Sequence, residues 1–285
     1  MHRSVLAFLV AFMAALVAVS FSAAASTTKP HTYHRIISLS PTITEDLFKI
    51  GAGKQVIAVD QDSNYPAAAP RTGLSGYNPN VEAISAYNPD LVFISYDPGN
   101  LKTQLEQQGI KVVMEPAAAD LPDAYNEIVG VGTLTGHENQ ARRVVRWMKN
   151  RINDLVTSAH LHRRLHVYHE LDPTYYSVTS RTFIGTIYKL FGFTNIADAA
   201  GASAGTDYPQ LSNEYIVDAN PQIIVLADTV CCGQNGSTLA SRPGWSGISA
   251  VAHHRVIGVN DDIASRWGPR IVQFAAAIAK IARRG

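Results

Sequence analysis

The chain has 285 residues, in which 24 lysines and arginines nearly balance 23 aspartates and glutamates. A near-neutral chain without long basic runs argues against nucleic acid as a partner. Without a signal segment of about 25 residues, about 260 residues remain, which is enough for one large or two moderate domains, each with its own core.

Residues 1–25 have the features of a secretory signal peptide. His2 and Arg3 supply a basic start, residues 5–19 form an apolar run, and residues 23–25 offer a small-residue cleavage site. A single membrane anchor is the alternative, but the apolar run is short for a span of about 20 residues. No cysteine lies near the cleavage point to carry a lipid, so we predict a soluble periplasmic protein without a lipid anchor.

Strand and helix signals alternate along the first half of the remaining chain. Strands are predicted at 35–40, 55–59, 91–95 and 110–114, with helices between them. From about residue 121 to 161 there is no strand signal, and a helix that begins near Gly136 places apolar residues at helical spacing. Its charged face could bind a membrane surface. Its place between two α/β blocks favours a connecting helix instead.

The alternation resumes at residue 165 and continues to a last predicted helix at 269–283. Short turns between strands and helices indicate parallel sheets. We therefore predict an α/β fold of two lobes with mainly parallel sheets, joined by one long rigid helix, with a ligand cleft between the lobes. The predicted boundaries are 26–135 for the N-terminal lobe, 136–163 for the interlobe helix and 164–285 for the C-terminal lobe.

A helix–turn–strand unit occurs twice, at residues 81–94 and 213–226. In each copy a glutamate (Glu82 or Glu214) stands six residues before an Asn-Pro pair, and an apolar run follows the proline. Asn80 and Ser212 are good N-caps, so each glutamate lies in a first helical turn, where it stabilises the helix dipole by about 0.3–1 kcal/mol. The proline should end the helix and push the preceding asparagine towards extended geometry. On these residues alone dipole stabilisation is the preferred role, while the matching positions leave a functional role open.

Four histidines lie close together in the sequence, at His160, His162, His166 and His169. On a continuous helix the last three would share a face suited to a metal ion. Residues 165–169 are more typical of a strand, which would divide the histidines between two faces, and we predict scattered, solvent-facing side chains with no metal site. A secreted metal-binding protein or metal-dependent enzyme remains a remote alternative.

The two cysteines of the chain are adjacent, at Cys231 and Cys232. In an oxidising compartment they could form a vicinal disulfide, although α-carbons about 3.8 Å apart lie below the usual range for a bridge. Two free thiols in a loop are the alternative, and both interpretations stay open.

Tyrosines follow the predicted strands, at the edge where α/β sheets bind their ligands. Neither a phosphate-binding glycine motif, a Gly-x-Ser-x-Gly elbow nor a His-Glu-x-x-His motif is present, so we predict a protein that is not an enzyme. Aromatic side chains with a few polar groups suit a large, flat, partly apolar ligand. The candidates are Tyr65, Tyr77 and Tyr96 from the first lobe, Tyr175, Tyr176 and Tyr208 from the second, and Asp262, Arg266 and Trp267 after the last strand.

The chain resembles the periplasmic ligand-binding proteins of ATP-driven importers for cobalamin, siderophores and haem. The resemblance covers essentially all of the chain after the signal peptide, and it rests on residues 35–45, residues 64–66, the two Glu…Asn-Pro units and residues 266–270. It implies two lobes joined by a single rigid helix, closest to the vitamin B12-binding members.

The resemblance also implies roles for individual residues. Glu82 and Glu214 match the lobe-tip glutamates that dock into arginine pockets of the two membrane subunits of the importer. Cleft aromatics of the cobalamin-binding members match Tyr65, Tyr77, Tyr96, Tyr175 and Tyr208, and polar ligand contacts match Asp262 and Arg266. The implied protein is a monomer that captures a corrinoid, holds no resident cofactor, and delivers its ligand to permease subunits. Haem or an iron–siderophore is the alternative ligand, and the tyrosines could serve as axial iron ligands.

Overall fold

A computed structural model of the chain describes residues 31–159 and 164–283. The predicted signal peptide, His160, His162 and the end of the predicted interlobe helix lie outside these residues. Within them, two four-stranded parallel sheets have the same strand order, β2-β1-β3-β4 in the first lobe and β6-β5-β7-β8 in the second. The predicted α/β fold with two parallel sheets is confirmed.

The first lobe is built on the first sheet, and a long helix leads out of it. Its strands are β1 (Ile36–Leu39), β2 (Val56–Val59), β3 (Leu91–Ile94) and β4 (Lys111–Met114). Its helices are α1 (Pro41–Lys49), α2 (Val81–Ser85), α3 (Leu101–Glu106) and α4 (Leu121–Leu134), and the long helix is α5 (Glu138–Ala159). Short 3-10 helices lie at Gly53–Gln55 and Pro98–Asn100.

The second lobe repeats this plan with smaller elements. Its strands are β5 (His166–Glu170), β6 (Thr194–Asn195), β7 (Ile223–Leu226) and β8 (Val256–Gly258). The helices are α6 (Phe183–Leu190), α7 (Ala197–Ala204), α8 (Asn213–Ala219), α9 (Gly236–Ala240), α10 (Ser249–Ala252), α11 (Asp261–Ser265) and α12 (Ile271–Ala282), with a 3-10 helix at Trp245–Gly247.

Strands β3 and β7 are buried on both faces, which explains why their sequences are apolar without alternation. One face of each strand contributes to a single apolar core that spans both lobes and includes the buried stripes of α5 and α12. The opposite faces pack into two separate clusters, one in each lobe. The central core therefore continues from one lobe to the other.

The repeated unit forms α2–β3 and α8–β7, with both predicted caps in place. The Asn80 side chain accepts a hydrogen bond from the Ala83 amide at 2.7 Å, and the Ser212 hydroxyl accepts one from the Tyr215 amide at 3.1 Å. Glu82 and Glu214 lie in the first turns, as predicted.

The expected extended geometry before the two prolines is wrong. Asn88 has φ 50° and Asn220 has φ 43°, so both lie in the left-handed region. A following proline disfavours the right-handed helical region, and asparagine is among the few residues that tolerate the left-handed one. Asn220 is the residue at which α8 ends, whereas Asn88 follows the cap of α2 at Ala86 by two residues, and each asparagine leads through its proline to the buried strand.

The strand assignment for residues 165–169 is correct, but the prediction of solvent-facing histidines is wrong for His169. Its side chain is fully buried, and the Nδ1 atom lies 2.6 Å from the Tyr188 hydroxyl oxygen. Burial lowers the pKa of His169 to about 3, so the imidazole is neutral. His166 on the same strand is exposed. Across residues 31–159 and 164–283 no cluster of three histidine, cysteine or acidic side chains is suited to holding a metal ion.

Candidate ligand-binding cleft

A cavity of about 590 Å³ lies where the carboxyl ends of β1, β2 and β3 meet the segment after β8. The residues that line it are Leu39, Ser40, Pro41, Thr42, Asp60, Gln61, Asp62, Gly76, Tyr77, Ser95, Tyr96, Asp262, Ser265, Arg266 and Trp267. This is the sheet edge at which open α/β folds bind ligands. Both lobes contribute to the wall, so the cavity is an interlobe cleft.

Two of the predicted tyrosine side chains stand in this cleft. Tyr77 is 78% exposed and Tyr96 is 54% exposed, and both line the cavity. The Ser75 hydroxyl accepts hydrogen bonds from the Tyr77 and Asn78 amides at 3.2 and 3.0 Å, which folds the Tyr77 loop into a tight turn. The Tyr77 ring is thus presented to solvent from a fixed backbone position.

Arg266 lines the cleft and also ties the two lobes together. Its guanidinium donates to Glu45 Oε1 and Asn64 Oδ1, both at 2.9 Å, and to the Asp62 carbonyl at 3.0 Å. It also donates to Asp262 Oδ1 at 2.8 Å, and the other Asp262 oxygen accepts from Asn64 at 2.8 Å. The two predicted polar contacts, Asp262 and Arg266, therefore belong to one network that joins the lobes at the cleft.

Tyr65 belongs to the same network from outside the cavity wall. The Arg270 guanidinium lies 4.3 Å from the centre of the Tyr65 ring, at cation–π distance, and its Nε donates to Glu45 Oε2 at 2.7 Å. Glu45 is 3% exposed, and its carboxylate pairs with the guanidinium groups of both Arg266 and Arg270 in the protein interior. The Tyr65 ring covers one side of this buried charge cluster.

The second-lobe tyrosines lie apart from this cavity. Tyr175 stacks on the buried Trp245, with ring centres 5.9 Å apart, and Arg242 lies against both rings. Arg242 in turn forms a two-pronged ion pair with the buried Glu170, at 2.6 and 2.7 Å. Tyr176 and Tyr208 are 40% and 43% exposed. Neither Tyr175, Tyr176 nor Tyr208 lines the 590 Å³ cavity.

Besides Asp62 in the cavity wall, three further acidic groups that the sequence analysis did not select shape the cleft. Asp60 follows β2 directly, lines the cavity, and is 1% exposed, and burial raises its pKa. Glu45 anchors the two arginines from within. Glu127 accepts a hydrogen bond from the indole nitrogen of the cleft residue Trp267 at 2.7 Å, and burial raises its pKa to about 8. A carboxylate directly after a buried strand was a signal for Asp60, whereas the other two depend on tertiary contacts.

The predicted docking glutamates are both exposed. Glu82 lines a second cavity of about 320 Å³, whose wall includes Tyr77, Pro98 and Gln104. Tyr77 thus stands between the cleft and the surface around Glu82. Glu214 occupies the corresponding first turn of α8 in the second lobe.

Cys231 and Cys232 form a disulfide in the loop after β7, so the structure has the vicinal bridge rather than two free thiols. Both residues are exposed. No helix within residues 31–159 and 164–283 has the length and apolar character needed to cross a membrane.

Comparison with known proteins identifies the family. Residues 36–263 match the family described as periplasmic binding protein. An uncharacterized ABC transporter substrate-binding lipoprotein of Bacillus subtilis (strain 168) is 30% identical, over 86% of this chain and 79% of the relative. A cobalamin-binding protein of Halobacterium salinarum is 31% identical, over 86% of this chain and 68% of the relative.

Among solved structures, a periplasmic heme-binding protein of Roseiflexus sp. RS-1 aligns with a TM-score of 0.78 at 21% identity, covering 88% of this chain and 98% of that one. This likeness shows a shared two-lobe fold. The family match means that the protein is a ligand-binding transport protein and not an enzyme. The chain belongs to the periplasmic binding protein family and is a substrate-binding protein of the ABC-importer class, which binds a small ligand and interacts with permease subunits.

Proposed function

We propose that this protein captures a corrinoid of the vitamin B12 type in the interlobe cleft and delivers it to an ABC importer. The observation that carries the proposal is the charge of the cavity wall. Asp60, Asp62 and Asp262 line it, and the arginine that lines it, Arg266, is bound to the carboxylates of Glu45 and Asp262.

An acidic wall distinguishes among the ligands of this importer class. A corrinoid carries neutral amide side arms, whose N–H groups donate hydrogen bonds to carboxylates. Haem carries propionates, and anionic siderophores also bear negative charge. Among the residues that line the cavity the only cation is Arg266, which is already paired with Glu45 and Asp262, so the wall offers these anions no unpaired positive charge and favours the corrinoid. Tyr77 and Tyr96 supply exposed rings for the flat macrocycle. The cobalamin-binding relative from Halobacterium salinarum is consistent with this choice.

A calorimetric titration with cyanocobalamin, haemin and a ferric hydroxamate siderophore tests the ligand. We expect cyanocobalamin to bind with micromolar or tighter affinity, about −8 kcal/mol or more favourable. Tyr96→Ala should weaken binding about tenfold, because it removes a stacking face, whereas Tyr87→Ala, outside the cleft, should not. Binding of haemin with no heat from cyanocobalamin would move the assignment to haem.

The docking role of Glu82 and Glu214 is a second part of the proposal. Two equivalent carboxylates at matching positions of the two lobes suit a partner with two equivalent basic pockets. We expect Glu82→Ala combined with Glu214→Ala to retain ligand affinity while abolishing uptake in cells. Exposed acids on other helices, Glu106→Ala on α3 and Asp154→Ala on α5, form the matched control. Normal transport by the first pair would disprove the role.

We further propose a monomeric protein that is free in the periplasm. The chain has cysteines only at 231 and 232, so the predicted signal region contains none to carry a lipid. The Bacillus subtilis relative is named a lipoprotein, so a protein held to the membrane by a lipid is the alternative. We expect cell fractionation to recover the protein in the soluble periplasmic fraction, with an intact mass that starts near Ser26. A membrane-bound, lipid-modified form would contradict this.

A further inference from the structure

The loop of residues 229–234 contains the disulfide and follows β7 at the carboxyl edge of the second sheet. We propose that this disulfide loop is a further second-lobe contact surface for the ligand, with Val230 and the two sulfur atoms packing against the apolar face of a conjugated macrocycle. The inference rests on the proposed function, because it assumes that the cleft holds such a ligand.

The position of the loop follows from the common strand order of the two sheets. Strand β3 pairs with β1 in the first lobe as β7 pairs with β5 in the second, and all four are parallel. The residues after β3 carry Tyr96 into the cleft. The disulfide loop leaves the corresponding end of β7, so the second lobe presents sulfur and valine where the first presents a tyrosine ring.

The loop is also tied to the segment that forms the cleft wall. One carboxylate, that of Asp261, accepts the Val230 amide at 3.1 Å and the Cys231 amide at 2.8 Å. The next residue, Asp262, lines the cavity and bonds to Asn64 of the first lobe. The loop is therefore hydrogen-bonded to Asp261, whose neighbour in the sequence, Asp262, forms part of the cavity wall.

The other end of the loop is held from within the second lobe. The Asp228 carbonyl accepts the Cys232 and Gln234 amides, both at 3.3 Å, and the Gln234 side chain accepts from Arg242 at 2.9 Å. Four backbone amides of the loop are thus bound to acceptors of the second lobe, while the side chains of Val230, Cys231 and Cys232 are exposed. Such a loop is ordered before the ligand arrives, which reduces the entropy that binding has to overcome.

The exposed chemistry of the loop is apolar. Val230 is 68% exposed, and Cys231 and Cys232 are exposed beside it. Joining the sulfurs removes both S–H donors and the charge that a free thiol can acquire, leaving polarizable atoms without a hydrogen to donate. Divalent sulfur makes favourable contacts with π systems. A planar macrocycle between this loop and the Tyr77 and Tyr96 rings would cover apolar groups from both lobes.

Ligand protection of a single thiol tests the contact directly. In the Cys231→Ser variant, Cys232 is the only thiol of the chain, and its alkylation by N-ethylmaleimide can be timed with and without saturating cyanocobalamin, or haemin if that is the ligand found to bind. We expect bound ligand to slow the reaction at least tenfold. The matched control carries Cys231→Ser, Cys232→Ser and Asn153→Cys, which places the thiol on the exposed face of α5, and its rate should not change.

A second measurement does not depend on the disulfide. Val230→Ser should weaken ligand binding about fivefold, since it removes part of the apolar surface that the bound ligand would cover. Leu190→Ser changes a second-lobe side chain of 45% exposure outside the cleft and should leave the affinity unchanged. Alkylation of Cys232 at the same rate with and without bound ligand would overturn the inference. Failure of every ligand to bind the wild-type protein would instead refute the proposed function, and this inference with it.

Discussion

The two lobes have the same sheet but use their buried ion pairs differently. In the first lobe, Glu45 binds two arginines, Arg266 and Arg270, that come from the far end of the chain. In the second lobe, Glu170 binds Arg242 from the same lobe. One topology therefore supports two kinds of charge cluster, of which the first joins the two lobes at the cleft and the second lies within one lobe.

The largest expected effect comes from breaking these two clusters. Glu45→Gln leaves two arginines without a buried carboxylate, and we expect it to lower the free energy of unfolding by about 3–5 kcal/mol. Glu170→Gln leaves one arginine unpaired and should cost less. Because Arg266 lines the cleft, Glu45→Gln should also weaken ligand binding, whereas Glu170→Gln should affect it little. Urea unfolding and calorimetry measure the two quantities, and equal effects on both would remove the proposed distinction between the lobes.

The lobes should also respond oppositely to pH. In the first lobe, burial raises the pKa of Glu127 to about 8 from an ordinary value of 4.5. As the pH rises, the Glu127 carboxyl loses its proton at a lower pH in the unfolded chain than in the folded protein. The contribution of Glu127 to stability is therefore full below about pH 4.5 and is lost as the pH rises towards 8. In the second lobe, burial lowers the pKa of His169 to about 3 from 6.5. Its contribution is full above about pH 6.5 and is lost as the pH falls.

Glu127→Gln keeps an acceptor for the Trp267 indole but cannot titrate. Relative to the wild type, we expect the variant to gain about 1–3 kcal/mol of stability between pH 5 and pH 8. His169→Gln should reduce the loss of stability on the acid side instead. Unfolding free energies across pH 4–9 check both signs, and parallel curves for Glu127→Gln and the wild type would show that Glu127 does not titrate in this range.

The smallest expected effect concerns the repeated unit. Asn80→Ala and Ser212→Ala each remove the side-chain acceptor at a helix start, and each should cost about 1 kcal/mol. Thermal unfolding measures both losses, and Thr103→Ala at an exposed position inside α3 serves as a control away from the N-caps. A cost from one substitution alone would show that the two lobe tips are not energetically equivalent.

Local patterns in the sequence predicted the local structure well. The apolar runs of β3 and β7 and the caps of α2 and α8 depend on neighbouring residues only, and all four are present. The left-handed asparagines were missed because the general preference of residues before proline for extended geometry takes no account of the tolerance of asparagine for the left-handed region.

The cleft was harder to predict, because its contacts join distant parts of the chain. Glu45 meets Arg266 and Arg270 across 221 and 225 residues, and nothing near Glu45 in the sequence indicates these partners. His169 looked exposed because the sequence did not show that β5 has helices on both sides. Tyr77 and Tyr96 were found by their positions after strand ends, while the same rule also selected Tyr175, which packs on Trp245.

The apolar core that runs through both lobes limits how the molecule can move. A wide hinge opening would separate side chains of this core and expose them to water, at about 25 cal/mol for each square ångström of apolar surface. The two lobes should therefore unfold together in one transition and keep nearly the same mutual orientation whether the cleft is empty or filled. A ligand that binds in a cleft whose width is already fixed therefore loses little binding free energy to a conformational change of the protein.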